Sequence, residues 1–340
     1  MKSGKIAYLN KIAKTRPIKK SKEKFKYNLS NNESAFGKYR HYPDTWPLYK
    51  EFAKEWNVST TLEVLPTNGA EEALSKIYSV YTEEGSKVLR ADPCFGMIEV
   101  YEAVNNAIPI KIPYNEELDL DWDLFINTIS IYSDELTLIY LALPDNPTGH
   151  KVNSDILYRI LQKSYDKKIP VIVDCTYYRF IDNKVYKDIL DINKWNNLII
   201  VDSLSKSHGL AGLRVGAIIA SKELLNPIRA SRSMVEVSSM AVKKGCKALR
   251  KKTYKKNVNQ ANKWKAYFLK HFPNNCKETF GNFIILKTNN NIDIYNLLKD
   301  ESILTRVDFT HPSMKYNTLR ISIGNDAVMK KIVKIIKKRI

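Results

Sequence analysis

Residues 203–214, SLSKSHGLAGLR, combine an amine, hydroxyls and a guanidinium within one short turn between two apolar runs, NLIIVDSL and VGAIIA. Lys206 offers a reactive amine, provided that burial or a cationic neighbour lowers its proton affinity. Arg214 presents a fork of donors suited to phosphate oxygens, and Ser203 and Ser205 add hydroxyls to the same task. The polar groups stand where a buried strand ends, the place where open α/β sheets bind ligands. His208, two residues beyond the lysine, is read as a surface or structural histidine, with proton shuttling as the alternative.

Other apolar runs end in the same way. TNGAEEAL (67–74) puts Gly69 and Ala70 at the opening of a helix, whose free N–H groups and dipole favour an anion; a plain helix start is the other reading. DPCFGM (92–97) offers Phe95, either a flat platform for a ring or a core residue. In LPDNPTG (143–149), Asn146 precedes a proline and is biased towards extended backbone, which can aim its amide into a crevice or simply make a turn. IPVIVDCTYYRF (169–180) closes a buried strand on Asp174, with Tyr177 three residues on. A carboxylate there needs a partner, and a cationic ring nitrogen would serve. An anion cradle, a carboxylate for a ring nitrogen, two donors for a ring oxygen and an amine are together the needs of pyridoxal 5′-phosphate.

These strand ends belong to an alternating pattern. Strand-like runs at 86–91, 108–114, 136–144, 169–175, 197–204 and 216–220 are interleaved with helical patterns at 69–82, 95–105 and 153–168. That rhythm predicts a largely parallel, doubly wound sheet flanked by helices. Past 235 it changes to a long Lys-rich helical region (about 238–271), NFIILKT, a short helix near 292–299, TLRISIG and a basic terminal helix, which reads as a smaller α+β unit. The expected division is an arm and substrate segment at 1–45, a large cofactor-binding domain at 46–235 and a small domain at 236–340.

The chain has 340 residues, 44% of them apolar, and no apolar run reaches bilayer length. The basic start lacks the apolar stretch of a secretory signal. Four cysteines without metal-binding or redox spacing read as reduced thiols in the cytosol. A net charge of +19 is spread along the chain, so it is read as general basicity rather than a nucleic-acid or membrane surface.

The match S-x-S-K-x-x-x-L-x-G-L-R-x-G at 203–216, following N-P-T-G and D-x-x-Y in order, resembles the fold-type I aminotransferases. The histidinol-phosphate aminotransferase branch is the most similar, over about residues 28–325. The resemblance implies pyridoxal phosphate as cofactor, no metal, and a homodimer acting on a small amino donor and a 2-oxo acid, one of them with a distal phosphate or carboxylate. It implies that Lys206 is the Schiff-base lysine and that Asp174 partners the ring nitrogen. Asn146 and Tyr177 would bind the ring oxygen, with Phe95 against the ring. Gly69, Ala70, Ser203, Ser205 and Arg214 would hold the cofactor phosphate, joined by Tyr42 from the neighbouring subunit. Arg320 would grip the substrate α-carboxylate and Arg306 a distal anion, with Asn32 in the substrate segment 29–37. The sequence departs from the family pattern at Asp145 (usually Asn), Cys175-Thr176 (commonly Glu-Ala), Phe95 (commonly Tyr) and His208 (usually apolar). A decarboxylase of a phosphoamino acid shares the same cofactor site and is the alternative. A non-catalytic basic module would not be expected to keep Lys206, Asp174, Asn146, Tyr177 and Arg214 together.

Overall fold

The computed structural model describes residues 2–15, 31–182, 184–288, 290–307 and 318–340. Seven strands form the larger sheet: β1 (Val64–Thr67), β2 (Lys87–Asp92), β3 (Ile108–Pro113), β4 (Leu136–Ala142), β5 (Val171–Asp174), β6 (Leu198–Ser203) and β7 (Gly216–Ala220). Their order is β1-β7-β6-β5-β4-β2-β3. Only β7 runs against its neighbours, pairing antiparallel with both β1 and β6, so the other strands all end at one edge. The central strands β4, β5 and β6 are buried almost end to end, which is why LTLIYLA, VIVD and LIIVDS read as continuous apolar runs. Each fully buried Leu, Ile or Val there contributes about 1.5–3 kcal/mol of hydrophobic stabilisation.

Helices cover the sheet for a legible reason. The helix Gly69–Tyr81 buries Leu74, Ile77, Tyr78 and Tyr81, one face at helical spacing. Ser154–Asp166 starts at the Asn153 cap, whose side chain accepts from the Asp155 N–H. β1 did not stand out as a strand because it is four residues long and contains Pro66. Proline is tolerated there because β1 is the outer strand of the sheet.

Past residue 235 the long helical region is two helices, Ser239–Lys251 and Tyr254–His271. The break falls at Lys252, which adopts a left-handed conformation (φ +47°) and closes the first helix through its N–H. The first helix sends Ala241, Val242, Cys246 and Leu249 into the core of the large sheet. The second joins a separate core with β8 (Cys276–Lys277), β9 (Phe283–Lys287), β10 (Arg306–Val307) and β11 (Thr318–Ser322), an antiparallel sheet ordered β10-β11-β9-β8. The helix Asp326–Ile336 packs its Met329, Ile332, Val333 and Ile336 against that second core. No helix among the described residues is long and apolar enough to cross a membrane.

One close approach joins the sheet to the candidate anion cradle. Gly216 begins β7 opposite Thr67 and Ser203. A Cβ at Gly216 would lie 2.7 Å from the carbonyl carbon of Gly69 and 2.8 Å from the carbonyl oxygen of Asp202. Both are backbone atoms and cannot swing away. Gly216→Ala is therefore expected to destabilise the fold by about 1–3 kcal/mol. Urea denaturation would show this as a lowered midpoint with an unchanged slope; an unchanged midpoint would contradict the packing argument.

Candidate active site

At the carboxyl edge of the sheet lies a cavity of about 260 Å³. β1 leads into the Gly69–Tyr81 helix, placing Ala70 and Glu71 on its wall, and β2 leads to Phe95. The loop after β4 brings Asn146, β5 ends on Asp174 with Thr176 and Tyr177 beyond it, and β6 ends on Ser203 with Ser205 and Lys206 following. Arg214 closes the ring just before β7. These residues come from six separate stretches of sequence, and only the shared direction of the strands brings them together.

The cradle is preorganised. The Ser203 hydroxyl accepts from the Ser205 N–H at 3.2 Å and lies 3.0 Å from the Ser205 hydroxyl. Arg214 has a left-handed backbone (φ +51°), unusual for a residue with a Cβ. Its guanidinium packs over Gly69, where a Cβ would come within 3.2 Å of Nη2, and pairs with Glu71 at 3.0 Å. A guanidinium, two hydroxyls and a helix N-terminus thus face one corner of the cavity.

Around the amine the electrostatics favour the neutral form. Burial, reinforced by the cations Arg320 and Arg214, lowers the proton affinity of Lys206. Asp174 is buried and its carboxyl is pushed up by burial, against hydrogen bonds from Thr176 and Tyr140. Burial also lifts the Tyr177 hydroxyl to about 12, with Arg320 opposing. Arg320 sits on β11 over the Phe283 ring and donates through Nη1 to the side-chain oxygen of Asn146, which lines the cavity, so the small sheet touches the cavity wall there.

Three expected site residues lie elsewhere in the described chain. Arg306 is the cross-strand partner of Arg320 but lines an outer groove with Ile292, Tyr295 and Asn296. Tyr42 and Asn32 line a surface groove with Glu33, His41 and Ser238–Met240, and Tyr42 is 63% exposed. Residues 29 and 30 of the expected substrate segment fall outside the described residues.

Sequence reasoning passed over Tyr140, Glu71 and the role of Thr176, all on the cavity wall. Tyr140 is hidden within an apolar strand run, and Glu71 reads as an ordinary first-turn acid. Thr176 stood out only as a departure from the family pattern. Asp145, another departure, is buried under the Asn146 loop. Its carboxyl accepts from the Thr148 hydroxyl at 2.8 Å, and burial lifts it to about 6.

An open α/β sheet with an amine, an anion cradle and a buried carboxylate at its carboxyl edge defines a pyridoxal-phosphate enzyme of fold type I. The cavity fits that group: the donor set suits a phosphate at one end, and a carboxylate suits a ring cation at the other. The model of the family "Aminotransferase class I and II" matches residues 3–336, and the chain belongs to that pyridoxal-phosphate-dependent family. It is 30% identical over 290 residues to the histidinol-phosphate aminotransferase of Thermoanaerobacter pseudethanolicus, covering 84% of this chain and 80% of that one. Among solved structures, histidinol-phosphate aminotransferase from Sinorhizobium meliloti in complex with pyridoxal-5′-phosphate superposes with a TM-score of 0.76 at 17% identity, over 98% of this chain and 87% of that one. L-threonine-O-3-phosphate decarboxylase from Porphyromonas gingivalis superposes with a TM-score of 0.72 at 22% identity, over 88% and 90%. At those identities the structural likenesses speak for the fold.

His208 lies outside the cavity. It is buried, its Nδ1 is 3.0 Å from the Ser207 hydroxyl, its ring packs edge-on to Tyr254, and its Nε2 has no hydrogen-bond partner. Burial, helped by the nearby Arg179, lowers its proton affinity to about 3. The folded protein thus keeps His208 neutral where the unfolded chain, near 6.5, takes up a proton. The penalty is absent above pH 6.5 and grows as pH falls towards 3. At pH 5 it amounts to about 2 kcal/mol. Denaturation at pH 7 and pH 5 is expected to show wild type losing about that much more stability than His208→Phe; equal losses would contradict the buried neutral histidine.

Proposed function

We propose that this aminotransferase is of the histidinol-phosphate type, moving an amino group between an amino acid or phosphorylated amine and a 2-oxo acid. The observation that carries the reading is Lys206: one amine, partly desolvated, in the same cavity as Asp174 and the serine–arginine cradle. Lys206 would hold pyridoxal phosphate covalently through Nζ. Ala70, Ser203, Ser205 and Arg214 would hold its phosphate, with Gly69 allowing the close approach. Asp174 would accept from the ring N–H, Asn146 and Tyr177 would bind the ring oxygen, and Phe95 would lie against the ring. Once bound, the cofactor supplies an electron sink for the charge left when a bond at the substrate's Cα breaks.

The rest of the reaction falls to side chains of this chain. Lys206 Nζ, once free, is the base that removes the Cα proton and returns it elsewhere. Burial, with Arg320 and Arg214, lowers its proton affinity, the direction a general base needs. Arg320 would grip the α-carboxylate with its fork and keep that group from leaving. Arg306 would take a distal phosphate or carboxylate, with Asn32 in the substrate segment. The four buried free thiols support action in the cytosol.

The alternative, decarboxylation of a phosphoamino acid, draws support from the fold shared with the phosphothreonine decarboxylase. The two readings separate when glutamate, histidinol phosphate and phosphothreonine are each offered to the loaded enzyme without an oxo acid. Transamination predicts one half-turnover per site that resumes on adding 2-oxoglutarate. Repeated turnover with release of carbon dioxide would overturn it.

Tyr42 is exposed and remote from the cavity of its own chain, which supports a second copy completing each site across a two-fold axis. Tyr42→Phe is then expected to weaken cofactor retention by about 1.5–3 kcal/mol, the range for a hydrogen bond to a charged group. Equilibrium dialysis against pyridoxal phosphate measures this, and sedimentation at the same concentrations should show a dimer.

A further inference from the structure

Asp174 is held by more than its burial. Its Oδ1 accepts the Thr176 backbone N–H at 2.9 Å and the Thr176 hydroxyl at 2.7 Å, while its Oδ2 accepts the Tyr140 hydroxyl at 3.3 Å. Backbone N–H can only donate, so Oδ1 is the acceptor in that contact. The 2.7 Å contact is a well-formed hydroxyl hydrogen bond, within the range for a charged acceptor. A carboxylate can accept about four hydrogen bonds. Three positions are occupied, and Oδ2, with a single long donor, keeps acceptor capacity where Asp174 borders the cavity.

The surrounding charges do not favour an ionised carboxylate by themselves. Asp202 on β6 repels it, though Asp202 is itself paired to Arg179. Cys175 and Tyr177 on its own segment and Tyr140 on β4 are uncharged neighbours whose ionisation burial suppresses. Burial favours the neutral acid. A neutral Asp174 would carry a proton and offer a donor to a ring nitrogen, leaving that nitrogen without its own proton. Hydroxyl donors aimed at the carboxylate are what keep it an acceptor.

We propose that Thr176 is a positioning residue for the reaction: its hydroxyl, seconded by that of Tyr140, holds the Asp174 carboxylate charged and in one orientation, so that Oδ2 accepts from a protonated ring nitrogen in the cavity. The proposal rests on the reading in which Asp174 partners that nitrogen. It gives a function to a position where the family pattern commonly has alanine, which has no side-chain donor.

Thr176→Val removes the hydroxyl while keeping the side chain's shape and the backbone N–H. With Asp carboxyl carbons labelled, carbon NMR on the full chain, without and then with pyridoxal phosphate, follows Asp174 directly; Asp174→Asn assigns its signal. Thr176→Val is expected to move the protonation of Asp174 up by about one pH unit in the cofactor-free chain. In the loaded enzyme kcat should fall by roughly tenfold, with KM for the amino donor within about twofold. Thr176→Ser should restore both. Tyr140→Phe should shift the titration the same way by less, and it tests the proposal independently if the valine variant does not fold. An unmoved Asp174 titration in both variants would overturn the proposal, whether or not activity falls, because a purely structural threonine could lower activity without touching that carboxyl. If Asp174→Asn itself keeps wild-type turnover and cofactor retention, the reading beneath the proposal fails as well. If Asp174→Asn is inactive while Thr176→Val behaves as wild type, only the proposal fails.

Discussion

A buried guanidinium–carboxylate pair, Arg179 with Asp202, holds together the two segments that carry most of the cavity's chemistry. The pair is two-pronged, with Nη1 to Oδ1 at 2.7 Å and Nη2 to Oδ2 at 2.8 Å, and both side chains are almost wholly buried. Glu55 takes a further bond from Arg179 at 3.0 Å, and the Trp56 indole donates to Asp202 at 2.8 Å, so the helix Trp46–Glu55 is tied in as well. Arg179 stands two residues after Tyr177, and Asp202 stands immediately before Ser203. Removing one partner would strand a buried charge at a cost of about 3–5 kcal/mol. Although burial alone would raise it, Arg179 and the Trp56 N–H hold the Asp202 carboxyl below the usual range. The field of the pair reaches further. Asp202 adds to the burial that disfavours charge on Asp174, and Arg179 adds to the burial that keeps His208 neutral.

How much of this was legible in the sequence depended on the range of each interaction. β4, β5 and β6 are central and buried on both faces, so their apolar runs stand out without help from neighbours. The strand-end residues Ala70, Phe95, Asn146, Asp174, Ser203, Ser205, Lys206 and Arg214 were legible because a polar group closing such a run is conspicuous. Local strength was not enough elsewhere. β1 exists because β7 lies beside it, and Pro66 conceals it. The helices Trp46–Glu55, Trp122–Ile131 and Lys222–Ala230 are only nine or ten residues long, one with an internal proline, so each offers too few turns for a periodic run to stand out. The break at Lys252 rests on a backbone conformation that lysine does not advertise. Arg179 and Asp202 are 23 positions apart on different elements, and no spacing rule joins them.

The smaller sheet is fastened to the loop that carries Asn146. Gly149 has a positive φ of +70° and lies so close to Thr279 that a Cβ would meet the threonine Cβ at 2.7 Å. The Phe280 N–H donates to the Gly149 carbonyl at 2.8 Å, and Lys151 sits over the Phe280 ring at 4.2 Å. Further along, Lys277 reaches the Glu117 carbonyl and Asp119, and Lys287 reaches the Glu116 carbonyl at 2.8 Å. The backbone seam fixes distance, while the two lysines add contacts at the rim that salt weakens.

That seam decides what the two arginines of the smaller sheet can do. Arg306 and Arg320 face each other across β10 and β11, so their Cβ atoms leave the same face about 4.5–5.5 Å apart. Arg320 is drawn inward by Asn146 and Phe283, whereas Arg306 borders the outer groove beside Tyr295. From neighbouring roots, the two guanidinium groups are therefore directed to different depths of the same side of the molecule. A substrate engaging both would need one anion close to the amine and another towards the rim. The depth at which each arginine sits is thus set by the register of two short strands, and the packing of Thr279 against Gly149 fastens the smaller sheet to the loop that carries Asn146.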